Sequence, residues 1–469
     1  MTEMEVTEEP PAAAARTPEL AGPKAPAKPL SFFAAVRAMK VNPLATIPRV
    51  AYEQPIWRAK SLVDEQLFVS DPAGIKRVLL DNVANYPKKP LDVAILSAAF
   101  GDGLLTSEGD KWRAHRRVMS PSFDHRSITS YAPVIAAAAA ARLKAWDAQG
   151  KDAEIDIVRE MLTLTLEVIA RTMFSADSGA LQSQLDETIR KGMGELGFGL
   201  QYLAPVIGPF LLKRKLARIR ANFDAVDAVM QSVIRGRGKH AGTAPKDLLD
   251  RLIAATDSET GFRMTDEEVR DEVVIIFIAG HETSALASTY VWYLLSLHPD
   301  VEEKLHAELD AVLGGRPPAY DDLEKLVYTR MVIDEAMRLY PPAPMLTGRV
   351  ALAADEICGC PIVKGTEIAI LPWVVHRHRT LWDDPERFDP ERFSREKSAA
   401  RPRFAYLPFG GGPRICIGAQ LALTEVSLLV ATMAQRYRLK LVPRQEIVLL
   451  HRVTLHPRDG IRMRLQRRA

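Results

Sequence analysis

The chain has 469 residues, 47% of them hydrophobic, with 62 lysines and arginines against 59 aspartates and glutamates. That length suggests two or three domains, and the apolar content is ample for a large core. A net charge of +3 gives no general argument for nucleic acid as partner. Three cysteines, two of them only two positions apart, make no disulfide framework, so a reducing, cytoplasmic compartment is expected.

Residues 1–28 mix acids, alanine and proline with little to bury and read as a disordered tail. They lack the basic start and apolar run of a signal peptide. The following SFFAAVRAMK is too short to span a bilayer and is interrupted by Arg37 and Lys40, so no transmembrane anchor is expected there. Residues 100–106 read FGDGLLT, and beyond them Trp112 and Arg116, four apart, share one face of a charged helix. Arg113, Arg117 and Arg126 add positive charge nearby, with ordinary solvated arginines as the simple alternative. Residues 196–212 offer Phe198, Tyr202, Leu203 and Phe210, either as a lid over an apolar site or as plain core.

Thr265-x-x-Glu268 predicts a capping box, and the apolar pattern then runs to Pro299, a helix of about 50 Å. Residues 273–297 are apolar enough to resemble a membrane span, but His281 and Glu282 sit near the middle, where a bilayer makes ionisable groups costly. A buried helix beside a ligand site has a use for them. Ala279 and Gly280 leave room against that helix, and a mid-helix glycine otherwise costs about 1 kcal/mol. The Thr283 hydroxyl can bend the helix or hydrogen-bond a ligand, and Glu282 can exchange protons with water. Taken alone, the pair is better read as a threonine bonded back to a carbonyl and a satisfied buried acid. Ile275, Ile276, Ile278 and Ala279 are candidates to line the pocket.

Further along, Glu335 and Arg338 stand three apart on a helix that Pro341 ends, by itself an ordinary ion pair. Arg349 follows a proline-rich turn. Cys358-x-Cys360 and His376-x-His378 offer four zinc ligands at an uncommon spacing, so hairpin cysteines and loop histidines are the better reading. Residues 409–418, FGGGPRICIG, then place Cys416 behind three glycines, a proline and an arginine, just ahead of an apolar-periodic helix. Glycines let the backbone approach a flat cofactor, and positive charge and helix-terminal amides favour a thiolate. Arg414 can supply that charge or pair with a cofactor carboxylate. The stretch implies a haem-thiolate site, and it carries neither the G-x-x-x-x-G-K-[ST] nor the G-x-G-x-x-G pattern of a phosphate loop.

This loop resembles the cysteine-ligand loop of the cytochromes P450, F-G-x-G-x-R-x-C-x-G, with every fixed position filled. Residues 279–283, Ala-Gly-His-Glu-Thr, resemble the family's A/G-G-x-D/E-T motif, Glu335-x-x-Arg338 its E-x-x-R, and Trp112-x-x-x-Arg116 its W-x-x-x-R. The resemblance implies a mainly α fold with a smaller β-rich region, a triangular helical body with haem between the long distal helix and the cysteine loop. Residues 29–469 would form one catalytic domain. It implies haem b with Cys416 as the axial iron ligand, and Arg414, Trp112, Arg116 and Arg349 at its propionates. Phe409, Gly410, Gly418, Ala279 and Gly280 would lie against the ring, and Ala279 stands where some members carry the glutamate that binds haem covalently, so the attachment is expected to be non-covalent.

By the same resemblance Thr283 and Glu282 deliver protons, while Glu335, Arg338 and Arg392 form a structural triad beneath the cysteine loop. The implied activity is a monooxygenase that puts one oxygen atom of O2 into a C–H bond of a hydrophobic molecule. FGDGLLT and the SEGDKWRAHRR after it resemble the fatty-acid and hydrocarbon hydroxylase branch, which makes a fatty acid, hydrocarbon or terpene-like substrate the expectation. About 50 residues follow Cys416, too few for a fused reductase, so electrons from NAD(P)H are expected through a separate ferredoxin or flavodoxin with its reductase, to a monomer. The rival reading is a haem-binding sensor or carrier without turnover.

Overall fold

A single 32-residue helix, Asp266–Leu297, is the axis of the molecule. The computed structural model describes residues 19–60, 65–175, 195–196, 208–237 and 247–468. Thr265 caps this central helix: its hydroxyl accepts from the Glu268 amide at 3.2 Å, and Glu268 accepts from the Thr265 amide at 2.9 Å. Asp266, Glu267 and Glu268 in the first turn complement the positive end of the helix dipole. The first half packs Val273, Val274 and Phe277 into an apolar cluster shared with helices Ile157–Phe174 and Gly208–Arg237. Its second half packs Ala285 to Leu295 into a larger cluster with helices His125–Ala148, Val327–Leu339 and Ala419–Ala434. One continuous rod running through both clusters joins them into one body. Among the described residues it is the one helix long and apolar enough to cross a membrane, and 72% of its apolar window is buried in protein.

The β structure is small and peripheral. A four-stranded sheet orders Ile56–Lys60, Glu65–Val69, Glu367–Ala369 and Arg349–Val350, which fixes Arg349 on an edge strand. Arg462–Arg467 pairs with both Glu154–Asp156 and Tyr437–Leu441, and two hairpins complete the set, Asp355–Ile357 with Cys360–Ile362 and Leu449–His451 with Leu455–Pro457. Cys358 sits in the turn of the first hairpin at φ 49°. Its thiol donates to Asp71 at 3.2 Å, while Cys360 accepts from Arg58 at 2.7 Å.

Two sequence boundaries look different in three dimensions. Residues 19–28, assigned to the tail by composition, lie on the body: Leu20, Ala21 and Ala25 touch the larger cluster, and the Ala21 backbone bonds Tyr293 at 3.0 Å and Tyr340 at 2.8 Å. Residues 1–18 fall outside the described part. So do Phe198, Tyr202 and Leu203 of the expected lid; of its described members Leu196 is buried and Phe210 is 62% exposed beneath the Arg214 guanidinium.

Candidate active site

Cys416 lies three residues before helix Ala419–Ala434, and its amide donates to the Phe409 carbonyl at 3.0 Å, closing the loop. Gly412, at φ 70°, runs so near Leu79 that an added Cβ would stand 1.9 Å from that carbonyl oxygen, so glycine here serves the loop's own packing. Cys416 is accessible at one side but crowded on the others, and burial pushes its thiol up, opposed by the Gly418 amide and by Arg116. The charge acting on the sulfur is therefore Arg116 and not Arg414, because Arg414 is spent elsewhere. Its guanidinium bonds the Ser107 carbonyl at 3.1 Å, pairs with Glu108 and stacks 4.3 Å above the Trp112 ring. Trp112 and Arg116 thus grip the loop from one helix face, Trp112 through Arg414 and Arg116 through the Ile415 carbonyl.

Arg349, 7% exposed, keeps Nε and Nη1 without a protein partner, and burial together with Arg414 lowers its pKa to about 10. Lys88, which nothing in the sequence singled out, joins it: the two residues bridge backbone to backbone, and the ammonium donates to the Leu105 and Ser107 carbonyls at 2.5 and 3.3 Å. Burial, Arg414 and Arg349 push Lys88 down to about 7. Buried cations that repel one another and leave donors idle call for an anion. A flat cofactor with two carboxylates and one soft axial ligand fits this set: Arg349 and Lys88 have the donors, and Cys416 has the accessible thiol.

On the central helix, Ile276, Ala279, Gly280 and Thr283 fall on one face and are left partly or wholly accessible, as is Glu282 off that face, whereas Ile275 and Ile278 are buried in the core. Of the four residues expected to line a pocket, Ile276 and Ala279 are therefore accessible, and Ile275 and Ile278 are core, their side chains pointing a third of a turn away. Gly280 also has a packing role: a Cβ there would meet Ile169 at 2.7 Å, so glycine admits helix Ile157–Phe174. His281 faces the same helix, bonding the Leu162 carbonyl at 3.0 Å, and burial lowers it to about 4. Thr283 donates back to Ala279 at 2.6 Å. Glu282 turns away from this face; burial raises its pKa against a Thr454 hydrogen bond and Arg452. Ser284, next in line, donates to Glu425 of the cysteine helix, whose burial raises it to about 8. Ile417, beside the cysteine, packs against the cluster that also takes Ile275 and Ile278, and the central helix packs directly on the cysteine helix Ala419–Ala434.

Glu335 and Arg338 are wholly buried and doubly bonded, at 2.6 and 2.8 Å. Arg392 completes the triad at 3.4 Å from Glu335. Arg338 also donates to the His376, Pro385 and Arg387 carbonyls, and His376 Nε2 accepts from the Leu407 amide at 2.8 Å. His376 is therefore a buried strut between the triad and the cysteine loop. FGDGLLT is a strut too: Asp102 donates its amide to Asp271 at 2.8 Å, and a Cβ on Gly101 would collide with that carboxylate. Its first residues brace the central helix.

The family model described as Cytochrome P450 matches residues 31–461. The chain belongs to that family. It is 38% identical to cyclooctat-9-en-7-ol 5-monooxygenase of Streptomyces melanosporofaciens, over 73% of this chain and 74% of that one. To pentalenene oxygenase of Streptomyces avermitilis it is 33% identical, over 78% and 80%. Among solved structures, the cytochrome P450DA heme domain aligns with a TM-score of 0.77 at 27% identity, covering 88% of this chain and 90% of that one. This cytochrome P450 is accordingly an oxidoreductase of the monooxygenase class, with the mainly helical fold expected, and the family implies haem on a cysteine thiolate and O2. The sensor or carrier reading loses its support. The fatty-acid branch gains none from these relatives.

Proposed function

We propose that this P450 hydroxylates a cyclic, terpene-like hydrocarbon or alcohol, with haem b held non-covalently by the Cys416 thiolate. The carrying observation is the apolar open face of the central helix, Ile276 and Ala279 with Thr283 as its one hydroxyl, beside the cysteine loop. Relatives named for pentalenene and cyclooctat-9-en-7-ol point the same way.

Arg349 and Lys88, with Arg414 and Arg116 behind them, would hold the carboxylates of the haem. When bound, the haem supplies oxygen activation at a thiolate-ligated iron. Thr283 releases its bond to Ala279 by rotating χ1 and presents its hydroxyl to the pocket, and Glu282 supplies the proton that the hydroxyl passes on. Electrons come from a separate ferredoxin or flavodoxin in the cytoplasm. Of the three arginines expected to dock it, Arg113 pairs with Asp110 and Arg117 with Asp257, which leaves Arg126 to offer net charge.

The test is titration of the ferric protein with cyclic terpenes and with straight-chain fatty acids, then turnover with a surrogate ferredoxin and reductase. A high-spin shift with the cyclic compounds, and a product one oxygen atom heavier, is expected. A shift with fatty acids alone would overturn the substrate class.

A further inference from the structure

Glu282 and Thr283 stand about 100° apart around the helix, so the acid cannot share the open face of the alcohol. Its carboxyl points instead at the hairpin Leu449–His451/Leu455–Pro457. There Thr454 and Arg452 both act on it from the turn, and His456 places Nδ1 at 3.6 Å from Oε1. That separation is too long for a hydrogen bond. Yet His456 Nδ1 and Glu282 Oε2 are both buried without a protein partner. Two idle polar atoms on facing side chains are costly to leave so, and one bridging water or a small ring rotation satisfies both.

The exposure is graded. The Glu282 side chain is 14% exposed and that of His456 35%, while Nδ1 itself is buried, so the open part of the ring lies away from the acid. Burial raises Glu282 against Thr454 and Arg452, and Tyr290 on the same helix faces it. Burial and Arg452 lower His456, opposed by Asp156 of strand Glu154–Asp156 in another sheet. These opposite shifts bring the proton affinities of acid and imidazole towards each other, which is what a reversible hand-over needs.

We propose that His456 is the outer station through which solvent protons reach Glu282, a positioning residue for the acid. Water protonates the exposed Nε2, Nδ1 gives its proton to Glu282, and the ring is left neutral with its hydrogen on Nε2. A swing of the ring that brings Nδ1 out to water, where it takes up a proton as Nε2 gives one back, resets the tautomer. The proposal rests on the monooxygenase reading of the site and adds to it where the protons enter.

The experiment compares holoenzyme of the wild type, His456→Gln and Glu282→Gln. The infrared band of the protonated Glu282 carboxyl, assigned by its loss in Glu282→Gln, should titrate about half a pH unit or more away from the wild-type midpoint in His456→Gln. The His456 imidazole, followed by NMR, should shift its own titration in Glu282→Gln. In turnover, His456→Gln should divert reducing equivalents to peroxide about threefold more and enlarge the solvent isotope effect. An unmoved carboxyl titration with an unchanged isotope effect, in a haem-loaded variant, overturns the proposal. If His456→Gln does not fold, an unmoved imidazole titration in Glu282→Gln overturns it alone. Loss of the thiolate spectrum in the wild type would instead defeat the functional reading and leave the two titrations to decide the contact.

Discussion

Arg116 donates from Nη1 to the carbonyl oxygen of Ile415 at 2.9 Å, joining the Trp112 helix to the residue beside Cys416 across 299 positions of sequence. The same guanidinium is the cation that favours the Cys416 thiolate. One side chain therefore orients the loop and sets its charge. Arg116→Gln should keep the fold and release haem about tenfold faster, since a charge-assisted hydrogen bond is worth about 1.5–3 kcal/mol. The rate of haem transfer to an apo-globin acceptor checks this, and an unchanged rate would mean that the helix–loop contact does not hold the cofactor.

The Glu335–Arg338 pair sits at 0% exposure with three carbonyls also bonded to the guanidinium. Arg338→Ala leaves the buried Glu335 carboxylate with only Arg392 and the Asp389 amide, and should cost about 3–5 kcal/mol. Urea unfolding gives the value directly. A loss of under about 1 kcal/mol, the range of exposed ion pairs, would show that the triad is not the clamp beneath the loop.

Gly280 faces Ile169 Cδ1 across the contact of two helices. Gly280→Ala should gain about 1 kcal/mol of helix propensity and lose part of it to the shift forced on the Ile169 terminal methyl. In an Ile169→Val background the colliding atom is gone, so the same substitution should become more stabilising. Additive effects in this double-mutant cycle would contradict the contact.

His115 is fully buried between Glu272 at 2.6 Å and Glu268 at 3.3 Å, tying the Trp112 helix to the central helix. Burial works to lower its pKa, but the two carboxylates overcome that and raise it above the ordinary 6.5. A raised histidine contributes stability that is complete below about pH 6.5 and fades as pH climbs through the folded value. Glu268, held below 4.5 by the Thr265 amide and by His115 in spite of its burial, loses its share only as the solution turns acid. As pH rises above about 6.5 and through the raised folded value the wild type should therefore lose stability relative to His115→Gln, which cannot titrate. Parallel urea midpoints for the two proteins across that range would refute the clamp.

Much of the site was legible because each motif is short: Cys416, Trp112 with Arg116, Glu335 with Arg338, and the Ala279 to Thr283 run each declare themselves by local spacing. The rest is written between distant residues. His115 finds Glu272 across 157 positions, and His376 finds Leu407 across 31. Lys88 is buried by a strand bridge to Arg349 that no periodicity in YPKKP foretells. Two further roles are only partly legible, for the same reason. Gly280 was read for the space it leaves, when Ile169 takes part of that space, and Arg414 was read for its proximity in sequence to Cys416, when Glu108 and Trp112 hold it.

The most direct test of the whole account is the carbon monoxide difference spectrum of the reduced, haem-loaded protein beside that of Cys416→Ser. Thiolate ligation predicts a strongly red-shifted Soret band in the wild type and its absence in the variant. A haem-loaded wild type without the shifted band, or a variant that retains it, would contradict the assignment of Cys416.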